Sequence, residues 1–158
     1  MKHLIENYLE ENKFYFQTNI NKETRTLYSM GIALENGNFE VYININTDPK
    51  LVSLSTYFPV KIPDEFRNKV SEFITRVNQL MFVGNFTLNY RSGDLYYNTS
   101  FIYNNVSDEY DEIFHLNLVI SYSNLDKYIP AIMSIIYANT DPETAFNKIE
   151  NIIKPELN

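Results

Sequence analysis

The chain has 158 residues, 44% hydrophobic and 21% charged, a length that suits one domain, 1–158, burying roughly 70% of its unfolded surface. Its formal charge of −7 repels nucleic acid and anionic membrane surfaces. With no Cys, it has no disulfide, thiolate metal site or cysteine nucleophile.

Leu4, Ile5, Tyr8 and Leu9 recur at helical spacing and predict a short amphipathic helix over residues 2–12. Its frequent Glu residues leave no continuous apolar core of the signal-peptide kind. No later apolar run approaches the roughly 20 residues that span a bilayer, so a cytoplasmic protein without membrane partners is expected. From about Phe14 the pattern turns to strands. Asn36-Gly37, set between two alternating runs, predicts a hairpin with a type I′ turn. Beyond it Phe39, Val41, Ile43 and Ile45 point one way, and Glu40, Tyr42, Asn44 and Asn46 the other. "TDP" at 47–49 turns the chain into a third strand, with Val52, Leu54, Thr56 and Phe58 on one face.

Asp64 is placed to cap a helix after Pro63, whose apolar stripe is Phe66, Val70, Phe73, Ile74, Val77 and Met81, with Gly84 as its C-terminal stop. Phe86, Leu88 and Tyr90 then alternate, Ser92-Gly93 turns, and Leu95, Tyr97, Thr99, Phe101 and Tyr103 alternate back. The remainder reads as helical. Ser107 caps a segment beginning "DEYDEIF", a break near Ser123-Asn124 leads into a second segment, and Pro130 belongs near a first turn or at a kink. Asp141 caps a last helix with Pro142 at its first position. This layout predicts an α+β domain: an antiparallel sheet of about five strands with helices packed mainly on one face.

Little in the chain points to catalysis. Glu112 and His115 share a helix face at the spacing of di-iron bundles, but the motif occurs once and reads as a surface ion pair, as does His3 with Glu6. The run Asp108, Glu109, Asp111, Glu112 lacks the alternation and central Gly of a calcium loop and reads as a solvated helix start. The four glycines, at 31, 37, 84 and 93, are too dispersed to cradle phosphate. Nothing resembles a Gly-x-Ser-x-Gly elbow. No catalytic residue, metal ligand or cofactor is assigned, and an acidic-residue hydrolase is the least favoured reading.

Two features suit binding. Tyr42, Tyr57 and Tyr96 take the same strand phase, with Asn44, Ser55 and Asn98 between them. A Tyr/Asn/Ser sheet face fits protein recognition, because Tyr brings area and a hydrogen bond at little entropic cost. It equally fits a half-buried face built of good strand formers. Ile113, Phe114, Leu116, Leu118, Val119 and Ile120 nearly encircle their helix, which is therefore either central or at a subunit interface; Phe114, Leu118 and Val119 are the candidate interface residues.

The run "PVKIPDEFRNKVSEFITRVNQLMFVGNFTLNYRSGDLYYNTSF" resembles the YbjN family of bacterial sensory transduction regulators. It has Pro63 before the helix, Asn78 with Met81 for the family's Asn-x-x-Leu, Gly84 with Phe86, and Ser92-Gly93-Asp94 leading to Tyr96. Downstream, Asp126, Tyr128 and Pro130 are in place, while Ala138-Asn139 stands where relatives often have Gly. The resemblance spans residues 30–153. It implies a fold similar to type III secretion chaperones, a curved antiparallel sheet flanked by helices and often dimeric, and it carries no catalytic residues. The expected function is a non-catalytic protein-binding or regulatory module, a homodimer with an unidentified protein partner. The alternative is a small-ligand sensor with a pocket between sheet and helices.

Overall fold

The computed structural model describes residues 1–105, 107 and 109–153, the last three by backbone alone. Helix α1 (Lys2–Glu11) precedes four strands, β1 (Phe16–Lys22), β2 (Arg25–Leu34), β3 (Gly37–Thr47) and β4 (Lys50–Tyr57). A single 3-10 turn, Asp64–Phe66, leads into α2 (Arg67–Asn78). Strands β5 (Asn85–Leu88) and β6 (Leu95–Ile102) follow, then α3 (Glu109–Ala138) and α4 (Pro142–Ile153). All six strands form one antiparallel sheet in the order β1-β2-β3-β4-β6-β5.

The fold is the expected α+β arrangement, with six strands rather than about five. The extra strand is β1, whose register slips between Thr18 and Ile20. A bulge there breaks the two-residue period by which a strand is recognised.

The helices pack on one side of the sheet. The even beat of β3 and the matching positions of its neighbours bury Val41, Ile43, Val52 and Leu54 against Ile5 and Leu9 of α1 and Phe114 and Leu118 of α3. Phe39, Phe58, Phe86, Leu95 and Tyr97 meet Val70, Phe73 and Val77 of α2 and the second half of α3. The Phe66-to-Met81 stripe thus does what its spacing requires. Phe114 and Leu118 are core residues of a single chain, 0% and 1% exposed, so they are not available to a second subunit. Val119 is half-buried.

Several local expectations change. Neither Glu35 nor Asn36, the two residues between the paired Leu34 and Gly37, has positive φ, so the turn is not type I′. A tertiary contact sets its shape: the Asn36 backbone N–H donates to Asp126 Oδ1 at 2.9 Å, and its side-chain amide donates to the Asp126 carbonyl at 3.2 Å. That carbonyl sits four residues before Pro130, which has no N–H to offer it. Asn36 therefore supplies the bond that the proline removes, and α3 runs on unbroken through Pro130. The break near Ser123-Asn124 is absent too. The Asn124 amide, which could compete with the local backbone, instead donates to the Tyr97 hydroxyl at 3.0 Å.

Asp64 makes no side-chain cap bond and pairs instead with Arg67 at 2.5 Å. Gly84 lies six residues beyond the end of α2 and immediately precedes β5. Its φ is +76°, and an added Cβ would stand 2.3 Å from the Asn98 carbonyl oxygen, so only glycine fits this crossing. Asn78, at the end of α2, pairs through its side chain with both backbone groups of Phe86, at 2.8 and 3.0 Å. Ser107 offers its carbonyl, not its hydroxyl, to Tyr110 N–H at 3.1 Å. Asp141 does cap α4, accepting from the N–H groups of Glu143 and Thr144 at 3.1 Å. Asn139 takes the left-handed conformation expected where relatives carry glycine, with φ +52°.

Candidate functional site

Alternation turns a second side of the sheet away from the core, and among the described residues no helix packs on it. Register places Tyr42 beside Ser55 and Ser55 beside Asn98, and it pairs Tyr57 with Tyr96 and Asn44 with Ser53. All six candidate residues, Tyr42, Asn44, Ser55, Tyr57, Tyr96 and Asn98, therefore share one face, and each is half-buried.

The three rings form a packed row. Tyr42 meets Tyr57 edge-on with centroids 5.4 Å apart, and Tyr57 stacks on Tyr96 at 4.9 Å. Such contacts hold aromatic side chains in place beyond simple burial. Around the row Ser55 donates to Asn98 Oδ1 at 2.6 Å, and Arg25 Nε donates to Asn44 Oδ1 at 2.6 Å. The Tyr42 hydroxyl is held above its ordinary titration range first by its hydrogen bond to Glu40. Burial, followed by the electrostatic influence of Tyr96, Asp94 and Glu40, does the same for Tyr57. Both hydroxyls thus remain protonated donors at neutral pH.

Ser53 and Ser100 belong to the same face and were missed, while Glu40, already placed in this phase, was not counted among the candidates. Their signal was available, since each lies two positions from a residue already placed there. Tyr15, just before β1, also lines this face and is 94% exposed; strand pattern was read from about Phe14, but no separate strand was counted there.

The other candidates serve structure. His115 Nδ1 lies 2.5 Å from the Tyr8 hydroxyl and ties α3 to α1, so it does not pair with Glu112. His3 does lie 3.3 Å from Glu6. Glu109, Asp111 and Glu112 line the exposed first turn of α3, and Asp108 is outside the described residues. Among the described residues no three His, Asp or Glu converge as metal ligands. No described helix is long and apolar enough to cross a membrane.

A cleft of about 430 Å³ lies between the α2–β5 connection and helices α3 and α4, rather than between sheet and helices. Its rim is Leu80, Phe82 and Val83, and its polar wall is Lys127, Tyr128 and Glu150. Lys127 donates to the Tyr128 hydroxyl at 2.9 Å, and that hydroxyl donates to Glu150 at 3.1 Å. Burial, then the Glu150 charge, raises the Tyr128 hydroxyl well above its ordinary range.

The sequence profile of the YbjN family, described as "Putative bacterial sensory transduction regulator", matches residues 3–116. No curated protein matches the chain.

Proposed function

The chain belongs to the YbjN family, and from that premise we propose that it is a non-catalytic regulatory module which recognises a protein partner through the helix-free face of its sheet. The observation that carries this reading is the Tyr42-Tyr57-Tyr96 row, preassembled on a face that no helix covers. Rigid aromatics set among adaptable Asn and Ser groups gain contact area and hydrogen bonds while losing little entropy on binding. In this reading the protein works in the cytoplasm as a homodimer, on the pattern of secretion chaperones.

The test is native mass spectrometry of protein purified gently from its host, with Tyr42→Ala and Tyr96→Ala prepared alongside. A second polypeptide should accompany the wild type and be lost from both variants, while their stability falls by no more than about 1 kcal/mol. Equal retention of that polypeptide by the variants removes the sheet face from the account.

The cleft supports a second reading, in which a small amphipathic ligand is sensed there. Phe82 stands fully exposed at its rim, beside the Lys127-Tyr128-Glu150 network. Ligand sites are usually concave and lined by apolar groups with a few converging polar ones. A small added mass in the same experiment, lost on Phe82→Ser, would favour it.

A further inference from the structure

Gly31 sits inside β2, where glycine weakens a strand because it loses more backbone entropy than other residues and has no side chain to pack. The fold does not ask for it. Its φ is not positive, and an added Cβ would meet nothing nearer than the Phe39 carbonyl oxygen at 4.0 Å, an ordinary contact. Gly84 and Gly93, by contrast, are left-handed and leave no room for a Cβ. What the missing side chain leaves open is the floor of a notch of about 350 Å³ on the open face, lined by Tyr15, Gln17, Ser29, Met30, Gly31 and Glu40.

The flanks of the notch are chemically complementary to a cation. Register pairs Gly31 with Glu40 on one side, and Tyr15 adjoins Phe16, the partner of Met30, on the other. Tyr15 is 94% exposed, and no aromatic ring among the described residues packs on it. Glu40 is exposed, and none of the ion pairs among the described residues uses it. Its bond to Tyr42 leaves further acceptor sites on the carboxylate. The whole chain carries −7, which favours a basic visitor. Beside the notch runs β1, an edge of the sheet paired on one side only, to β2. A bound strand can add there through main-chain bonds, with a pocket reading one of its side chains.

We propose that this notch receives the guanidinium of an arginine carried by an extended segment of the partner protein. The planar group stacks on Tyr15 and presents its paired N–H donors to Glu40, which a lysine ammonium cannot do at once. The inference rests on the open face being the recognition surface and identifies what its β1 end reads.

The test is a 15N–1H NMR titration of the full chain with the blocked pentapeptide acetyl-Thr-Val-Arg-Val-Thr-amide and with its citrulline counterpart, which keeps the shape and loses the charge. The arginine peptide should shift the amides of Tyr15, Gly31 and Glu40 and bind roughly tenfold more tightly than the citrulline peptide, the scale expected when an exposed ion pair and a cation–π interaction are both removed. Gly31→Val fills the notch with a residue that strands favour. It should abolish those shifts, as should Glu40→Gln, while both spectra remain folded. Equal binding of the two peptides, unchanged binding by either variant, or no shift at these amides in millimolar peptide overturns the proposal. Shifts at Tyr42, Tyr57 and Tyr96 that do not discriminate arginine from citrulline would overturn the notch and leave the wider face standing. Shifts confined to the notch that discriminate arginine from citrulline would support it, and the tyrosine row is then decided by partner retention in Tyr42→Ala and Tyr96→Ala.

Discussion

On strand β4, Thr56 and Ser55 are neighbours that point to opposite sides of one sheet. Thr56 is fully buried, and its hydroxyl lies 2.8 Å from that of Ser121, also fully buried, on α3. Thr99 on β6 likewise donates to the Asn117 carbonyl of α3, at 3.3 Å. One residue away, Ser55 donates to Asn98 across the strands on the face that water reaches. Beneath the helices a hydroxyl needs a protein partner, because an unsatisfied buried group costs its full desolvation. On the open face the same chemistry is cheap and remains available to another molecule. The covered side is thus committed to stability, while the open side can carry recognition at little cost to the fold.

Substitutions can break or sharpen this contrast. The largest expected effect is Phe114→Ala on the covered side, a loss of about 4 kcal/mol in urea unfolding, with the mass of the assembly unchanged in native mass spectrometry. A changed assembly with unchanged stability would instead return α3 to a subunit interface. Gly84→Ala comes next, at about 3 kcal/mol, since it adds a clash with the β6 backbone to a left-handed φ. The neighbouring pair gives the sharpest comparison. Thr56→Val should cost about 1 kcal/mol by leaving Ser121 with one partner fewer. Ser55→Ala should stay within about 0.5 kcal/mol. If the two cost the same, the faces do not differ in the way argued.

Much of this architecture was legible in the residue pattern. The alternation around Tyr42, Tyr57 and Tyr96 put them in one phase, and the structure gathers their side chains into one row. The stripe of α2 and the Asp141 cap are likewise local features, and local features read well. The resemblance residues have structural work too: Asn78 holds the backbone of Phe86, Gly84 permits the crossing of β6, and Asp126 receives Asn36. Less legible were β1 as a separate strand, its period broken by a bulge, and the notch at Gly31, whose Tyr15 flank lies just before that strand. Apolar residues do encircle the helix containing Phe114, but that pattern alone leaves two places for it, the core or an interface.

By itself the sequence determined which side chains travel together, because periods of two and about 3.6 follow from backbone geometry within a few residues. It also determined the absence of thiol chemistry and an acidic overall charge. Only the tertiary structure decided that α3 would pack its buried Ser121 against Thr56 of the sheet, and that it would run unbroken past Pro130 with a hairpin amide in place of the missing N–H. Those outcomes depend on partners 65 to 90 residues apart, Thr56 with Ser121 and Asn36 with Asp126. No short-range pattern encodes such contacts, since their energy appears only once the chain has brought both groups together.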